Sequence, residues 1–138
     1  MYLDKENEFS DAQALTATAA STNYIDVGHT GNWGPGVEEI EVIVQVDVAL
    51  TSGAGSTLVA ALQTDDNTSF SSAASLATTG TIAKASLVAG YQVAHWRIPV
   101  SGAERYIRIY YTVGTADFTA GSISAFVVAG GQTNRNSF

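Results

Sequence analysis

The chain has 138 residues, of which 46% are hydrophobic and only 14% charged, and 13 acidic against 6 basic side chains give a formal net charge of −7. This length suits one domain burying roughly two thirds of its unfolded surface, and the apolar content excludes a disordered chain. The acidic balance and the scattered basic residues exclude a nucleic-acid partner, and the lack of cysteine excludes both a disulfide framework and a thiolate metal site.

The opening "MYLDKENEFSD" carries acids where a secretory signal carries a basic region before an apolar run, so no export is expected. Residues 1–12 read as an N-terminal arm, 13–129 as the folded domain and 130–138, "GGQTNRNSF", as a flexible C-terminal tail. Apolar runs such as "AFVVAGG" fall short of the roughly 20 residues of a membrane helix, and no membrane partner is expected.

The first strands of the domain are short, in "QALTATAAS" and "NYIDV". "EEIEVIVQVDVAL" then alternates with period two, placing Ile40, Val42, Val44, Val46, Val48 and Leu50 on one face and Glu41, Gln45 and Asp47 on the other. From Ile40 to Leu50 such a strand spans roughly 36 Å, which is long enough to predict a bulge or bend. Glu39 and Glu41 share one face and invite comparison with the roughly 5 to 5.5 Å carboxylate pair of retaining glycosidases. Jelly-roll glucanases carry Glu-x-Asp-x-(x)-Glu, and here Val42, Ile43 and Val44 stand where the third carboxylate falls. A solvated outer face is the expectation for both glutamates.

After the turn "TSGAGS", the strand "STLVAALQT" is apolar on both faces, Leu58, Ala60 and Leu62 against Val59, Ala61 and Gln63, which predicts an interior position. It runs into "LQTDDNTSFSSA", where Asp65, Asp66 and Asn67 are consecutive and the next acid is Glu104. An EF-hand needs oxygens at spaced offsets, whereas Asp and Asn side chains bond their own backbone in tight turns, so a turn is expected. A calcium site completed by a neighbouring loop is the other reading. "SFSSAASLA" is the best candidate for a single helical turn, and "NTS" at 67–69 matches a glycosylation sequon that means little without secretion.

Strands follow in "SLATTGTIA", "YQVAHWRIPV", "RYIRIYYTV" and, after "GTADFTA", "GSISAFVV". In the third of these Ile107, Ile109, Tyr111 and Val113 face one way and Tyr106, Arg108, Tyr110 and Thr112 the other. His29 and His95 are isolated, the first in a loop and the second in a strand beside Trp96, without the His-x-His pairing of metal-binding cupins. Trp33, Tyr91, Trp96, Tyr106 and Tyr110 suit a sugar-stacking platform, which makes a carbohydrate-binding β-sandwich module the alternative function. The outward set Tyr106, Arg108 and Tyr110 has the composition enriched at protein contacts. About eight strands and no sustained 3.6-residue period predict an all-β fold, an antiparallel two-sheet sandwich of jelly-roll type with little helix.

The succession "LVAALQTDDNTSFSSAASLATTGTI", "LVAGY", "RYIRIYYTV" and "FTAGSISAFVV", with "FSDAQALTATAASTNYIDVG" before it, resembles the jelly-roll cement, or capsid decoration, proteins of tailed podophages of the Bordetella phage type. The resemblance implies a structural protein assembled in the host cytoplasm and carried on the outer surface of the virion capsid. It implies two partners, the major capsid protein and further copies of the chain itself, as a homodimer in preference to a trimer. It implies no catalysis and no cofactor. The residues offered as interface are Trp33, Tyr106, Arg108, Tyr110, Asp65 and Asp66, the acidic turn facing basic capsid residues.

Overall fold

A computed structural model describes residues 5–28, 40–98 and 102–129. Its strands are β1 (Glu8–Ala14), β2 (Ala19–Ala20), β3 (Ile25–Asp26), β4 (Ile40–Thr51), β5 (Thr57–Asp65), β6 (Ala74–Thr78), β7 (Ile82–Ala83), β8 (Gln92–Arg97), β9 (Tyr106–Gly114) and β10 (Ala120–Ala129). Among the described residues the only helical pieces are the 3₁₀ turns Lys5–Asn7 and Lys84–Ser86, so none is long and apolar enough to cross a membrane.

Two antiparallel sheets result, ordered β1-β10-β4-β8 and β2-β9-β5-β6, with β3 also on β9 and β7 also on β5. Because β2 and β3 share one edge of β9, and β6 and β7 one edge of β5, each pair is a single interrupted strand, which leaves eight strand positions among the described residues. Each sheet draws alternately on the two ends of the chain, which is the strand order of a jelly roll. The all-β expectation therefore holds, as does the interior position of β5.

The core is where the period-two pattern puts it. Val42, Val44 and Val46 of the first sheet meet Leu58, Ala60, Leu62, Ile107, Ile109 and Tyr111 of the second, all without exposed surface. Each fully buried aliphatic side chain contributes about 1.5–3 kcal/mol. The Tyr111 hydroxyl lies 3.0 Å from Ser10 Oγ, which gives the buried phenol a partner, and burial raises its pKa well above the usual tyrosine value.

The bend expected in β4 is two register shifts against β10, between Ala120 and Ser122 and between Ser122 and Ile123. Each adds a residue on β4 and flips the side-chain alternation. Val48, expected inside, is consequently turned out and 58% exposed, and the second shift returns Leu50 to the core. Gly121 makes this crossing possible. Its φ is +127°, and a Cβ there would stand 2.5 Å from Leu50 Cδ2 and 2.7 Å from Leu50 Cα.

Three other expectations are corrected. The arm ends before residue 8, because β1 pairs with β10 from Glu8 and Phe9 is wholly buried. No helical turn forms in "SFSSAASLA"; Ala74 to Thr78 pair with β5 instead, since the ladder hydrogen bonds and the packing of Leu76 and Ala77 on the core outweigh local capping. Glu41 is not on a solvated face. Ile43, Phe126 and Val128 form a second buried apolar cluster on the outer side of the first sheet, and Glu41, beside Val128 in register, is only 7% exposed.

Candidate interaction surface

The inward commitment of Ile107, Ile109 and Tyr111 forces Tyr106, Arg108 and Tyr110 onto the outer face of the second sheet. Their cross-strand partners on β5 are Asp65, Gln63 and Ala61 respectively. Arg108 is held from three sides. Its Nε donates to Gln63 Oε1 at 2.9 Å, and its guanidinium lies 4.3 Å from the Phe70 ring centre and 5.1 Å from that of Tyr110. Partial burial lowers its pKa, opposed by Tyr110 and Asp65, and guanidinium remains charged at any physiological pH.

A second group extends this surface. Tyr24, 48% exposed, meets Tyr106 edge to face at 5.6 Å and Phe70 at 6.1 Å. Arg105 lies 5.1 Å from the Tyr106 ring centre and grips Asp26 with two hydrogen bonds, Nε to Oδ1 at 3.0 Å and Nη2 to Oδ2 at 2.9 Å. Arg105 and the Gly28 N–H hold the Asp26 carboxyl below its ordinary pKa. The result is four aromatic rings, the buried Phe70 beneath three tyrosines, and two stacked cations, each cation held by the protein's own groups, a composition suited to a rigid contact.

The acidic turn borders this face and is built around Asp65. Though wholly buried, Asp65 accepts the Ser72 N–H at 2.8 Å, the Asn67 side-chain amide at 2.9 Å and the Ser72 hydroxyl at 3.1 Å. Burial opposes its ionisation, but the Ser72 N–H, Asp66, the Ser72 hydroxyl and the Asn67 N–H together lower its pKa. Asp65 is thus the staple of the turn and not a contact with a partner, a correction to its place in the expected interface. Asp66 is exposed and remains available. The fold brings Glu104 to the same corner, with one carboxylate oxygen each of Asp65, Asp66 and Glu104 within 4.8 Å of one another. Asp65 is already occupied by N–H and O–H donors, which accounts for its ionised form without a cation.

Other sequence candidates separate. Trp33, His29 and Glu39 lie outside the described residues. Tyr91 and Trp96 pack on the core, so the five aromatics do not make one row. His95 Nε2 lies 2.8 Å from Glu41 Oε2, and Arg97 Nε 3.8 Å from Glu41 Oε1, on the outer side of the first sheet. Tyr24, Phe70 and Arg105 join the surface although their local sequence carries no period that marks them. Only the adjacency of Arg105 to Tyr106 hints at it.

No curated protein matches the chain by sequence. The family model Bbp16 matches residues 9–127, from the first core residue of β1 almost to the end of β10. That span covers the whole sandwich, and the chain belongs to the Bbp16 family, a family of phage proteins.

Proposed function

We propose that this chain is a structural protein of the phage head, a cement that sits on the outer surface of the capsid and bridges neighbouring copies of the major capsid protein. The observation that carries the reading is the outer face of the second sheet. There Tyr24, Tyr106 and Tyr110 are presented around Arg105 and Arg108, whose side chains are already fixed by Asp26 and Gln63. Prefixed aromatic and arginine side chains lose little rotamer freedom on docking, so a modest contact repeated over a symmetric shell is enough to resist outward pressure. Family membership and the short, internally bonded turns of the jelly roll support the same role. Binding rather than catalysis is the proposed activity, without a cofactor, and further copies of the chain are a proposed second partner.

The carbohydrate-binding alternative is less well supported, because the rings of Tyr24 and Tyr106 meet at 88° and offer no flat platform to a sugar. Co-sedimentation tests the proposal. Purified chain mixed with isolated phage heads lacking it should pellet with them to a saturating ratio, and chain left wholly in the supernatant would refute it.

A further inference from the structure

We infer that the groove between the start of β1 and the edge of β3 is a docking site for an extended, basic chain segment, which adds to β3 as a further short strand. That the segment belongs to the major capsid protein rests on the cement reading above; the chemistry of the groove does not.

The groove holds about 450 Å³, within the roughly 300–1,000 Å³ of ligand clefts, and is lined by residues 5–8 on one side and 23–26 on the other. Its walls are tied together at one end, where Asn23 N–H donates to Phe9 O at 2.9 Å and Asn23 Nδ2 to Glu8 O at 3.4 Å. The second wall is a sheet edge. Ile25 pairs with Ile107 and Asp26 with Tyr106, and Val27 N–H donates to Arg105 O. Val27 and Arg105 thus form a hydrogen-bonded pair of the antiparallel ladder. Alternation makes Ile25 and Ile107 another, and turns the N–H and C=O of Asp26 away from β9, on the groove side. An extended chain laid along this wall can bond to both, as peptides do when they add to an open sheet edge. The wall's own side chains leave room for it, because Arg105 and the Gly28 N–H hold the Asp26 carboxylate and Ile25 packs on the core.

Charge selects the occupant. Glu6, Glu8 and Asp26 line the groove against Lys5. Asp66 and Glu104 lie at the same end of the sandwich, by the Asp65–Tyr106 pair next to Asp26, whereas the opposite end holds Asp117 and Lys84, bonded to Ser56 and Ser52. In a chain of net charge −7 this end draws cations and repels acidic segments. Alternate residues of an extended segment fall on one face, so basic residues two apart can meet the carboxylates together. Tyr24 lines the groove and also meets Tyr106 and Phe70, so a partner seated on the aromatic face has the groove within direct reach.

Nuclear magnetic resonance on the full chain, titrated with the peptide acetyl-Lys-Val-Lys-Val-Lys-amide, tests this. Saturable shifts should fall on residues 5–8 and 23–27, with the Asp26 amide moving downfield as its N–H gains an acceptor. Glu8→Lys, with unchanged circular dichroism, should weaken the peptide by about tenfold, and Asp117→Lys at the far end should not. An Asp26 amide that stays in place, equal binding of acetyl-Thr-Val-Thr-Val-Thr-amide, or full affinity in Glu8→Lys overturns the inference, as do the same shifts on raising the concentration of chain alone, which would make a second copy the occupant. Heads that take up the chain although the peptide fails would sink the groove alone. A peptide bound at Asp26 of a chain that ignores heads would uphold the groove and sink the cement reading.

Discussion

The guanidinium of Arg108 lies over the ring of Phe70, 4.3 Å from its centre, although the two residues stand on different elements and Phe70 holds a backbone φ of +51°. For a residue other than glycine that region costs about 1–2 kcal/mol. The ring burial of Phe70 and its cation–π contact offset that cost, and the turn after β5 is thereby folded back over the sheet. The contact couples the shape of the acidic turn to the proposed binding face.

Arg108→Ala should therefore have two effects of different size. Loss of the stacking and of the Gln63 bond should lower stability by about 1 kcal/mol, read as a small fall in melting temperature. Attachment to heads should fall by about 2 kcal/mol or more, the scale of a central interface residue, read by co-sedimentation. Full attachment by a folded variant would remove Arg108 from the interface.

Asp65 predicts an acid limb. A carboxyl whose pKa is lowered on folding contributes stability that is fully present above its unfolded value of 3.8 and is lost as pH falls through the folded value. Asp26, also lowered, acts in the same window. The melting temperature of wild type should drop on acidification from about pH 5 to below 4, and Asp65→Asn should start lower at neutral pH and drop less. Parallel pH profiles would mean that the turn is not held by the ionised form.

Gly121→Ala places a methyl group against Leu50 at a backbone conformation that alanine rarely adopts. Strand β10 must then move away from β4, at a cost of about 2–4 kcal/mol in a denaturant titration. A midpoint within error of wild type would show that the crossing is looser than described.

Ile109→Asp should abolish the fold, because it removes a wholly buried side chain and leaves an unpaired carboxylate between the sheets. Circular dichroism and a thermal melt decide it. A soluble variant with a cooperative transition would contradict the assignment of the core.

Removal of residues 1–12 should unfold the sandwich rather than free it of an arm. The deletion takes Phe9, worth about 3–5 kcal/mol on the scale of buried aromatics, and the Ser10 partner of Tyr111. Phe9→Ala should account for most of the loss in the same melting experiment, and a stable truncated domain would show β1 to be dispensable.

Strands β5 and β9 were legible in the sequence because one unbroken alternation settles both of their faces. β4 was legible only as far as Val46. Beyond it the parity depends on two extra residues against β10, and the glycine that permits them lies more than seventy positions away along the chain. Glu41 misled for a related reason, since a charged residue at an alternating outward position reads as solvated until the Ile43, Phe126 and Val128 cluster beside it is known. Tyr106, Arg108 and Tyr110 could be read from period alone, whereas Tyr24, Phe70 and the Asp26–Arg105 pair come together only through tertiary folding. The role of Asp65 was visible in kind, as a turn-forming residue, but its burial was not.

A density map of the assembled phage head tests the central claim most directly. An eight-position jelly roll should lie on the outside of the shell, seated over junctions between major capsid protein subunits, with the Tyr106–Arg108–Tyr110 face against them. Heads whose outer surface lacks this density, or particles that carry the chain only in the tail, would contradict it.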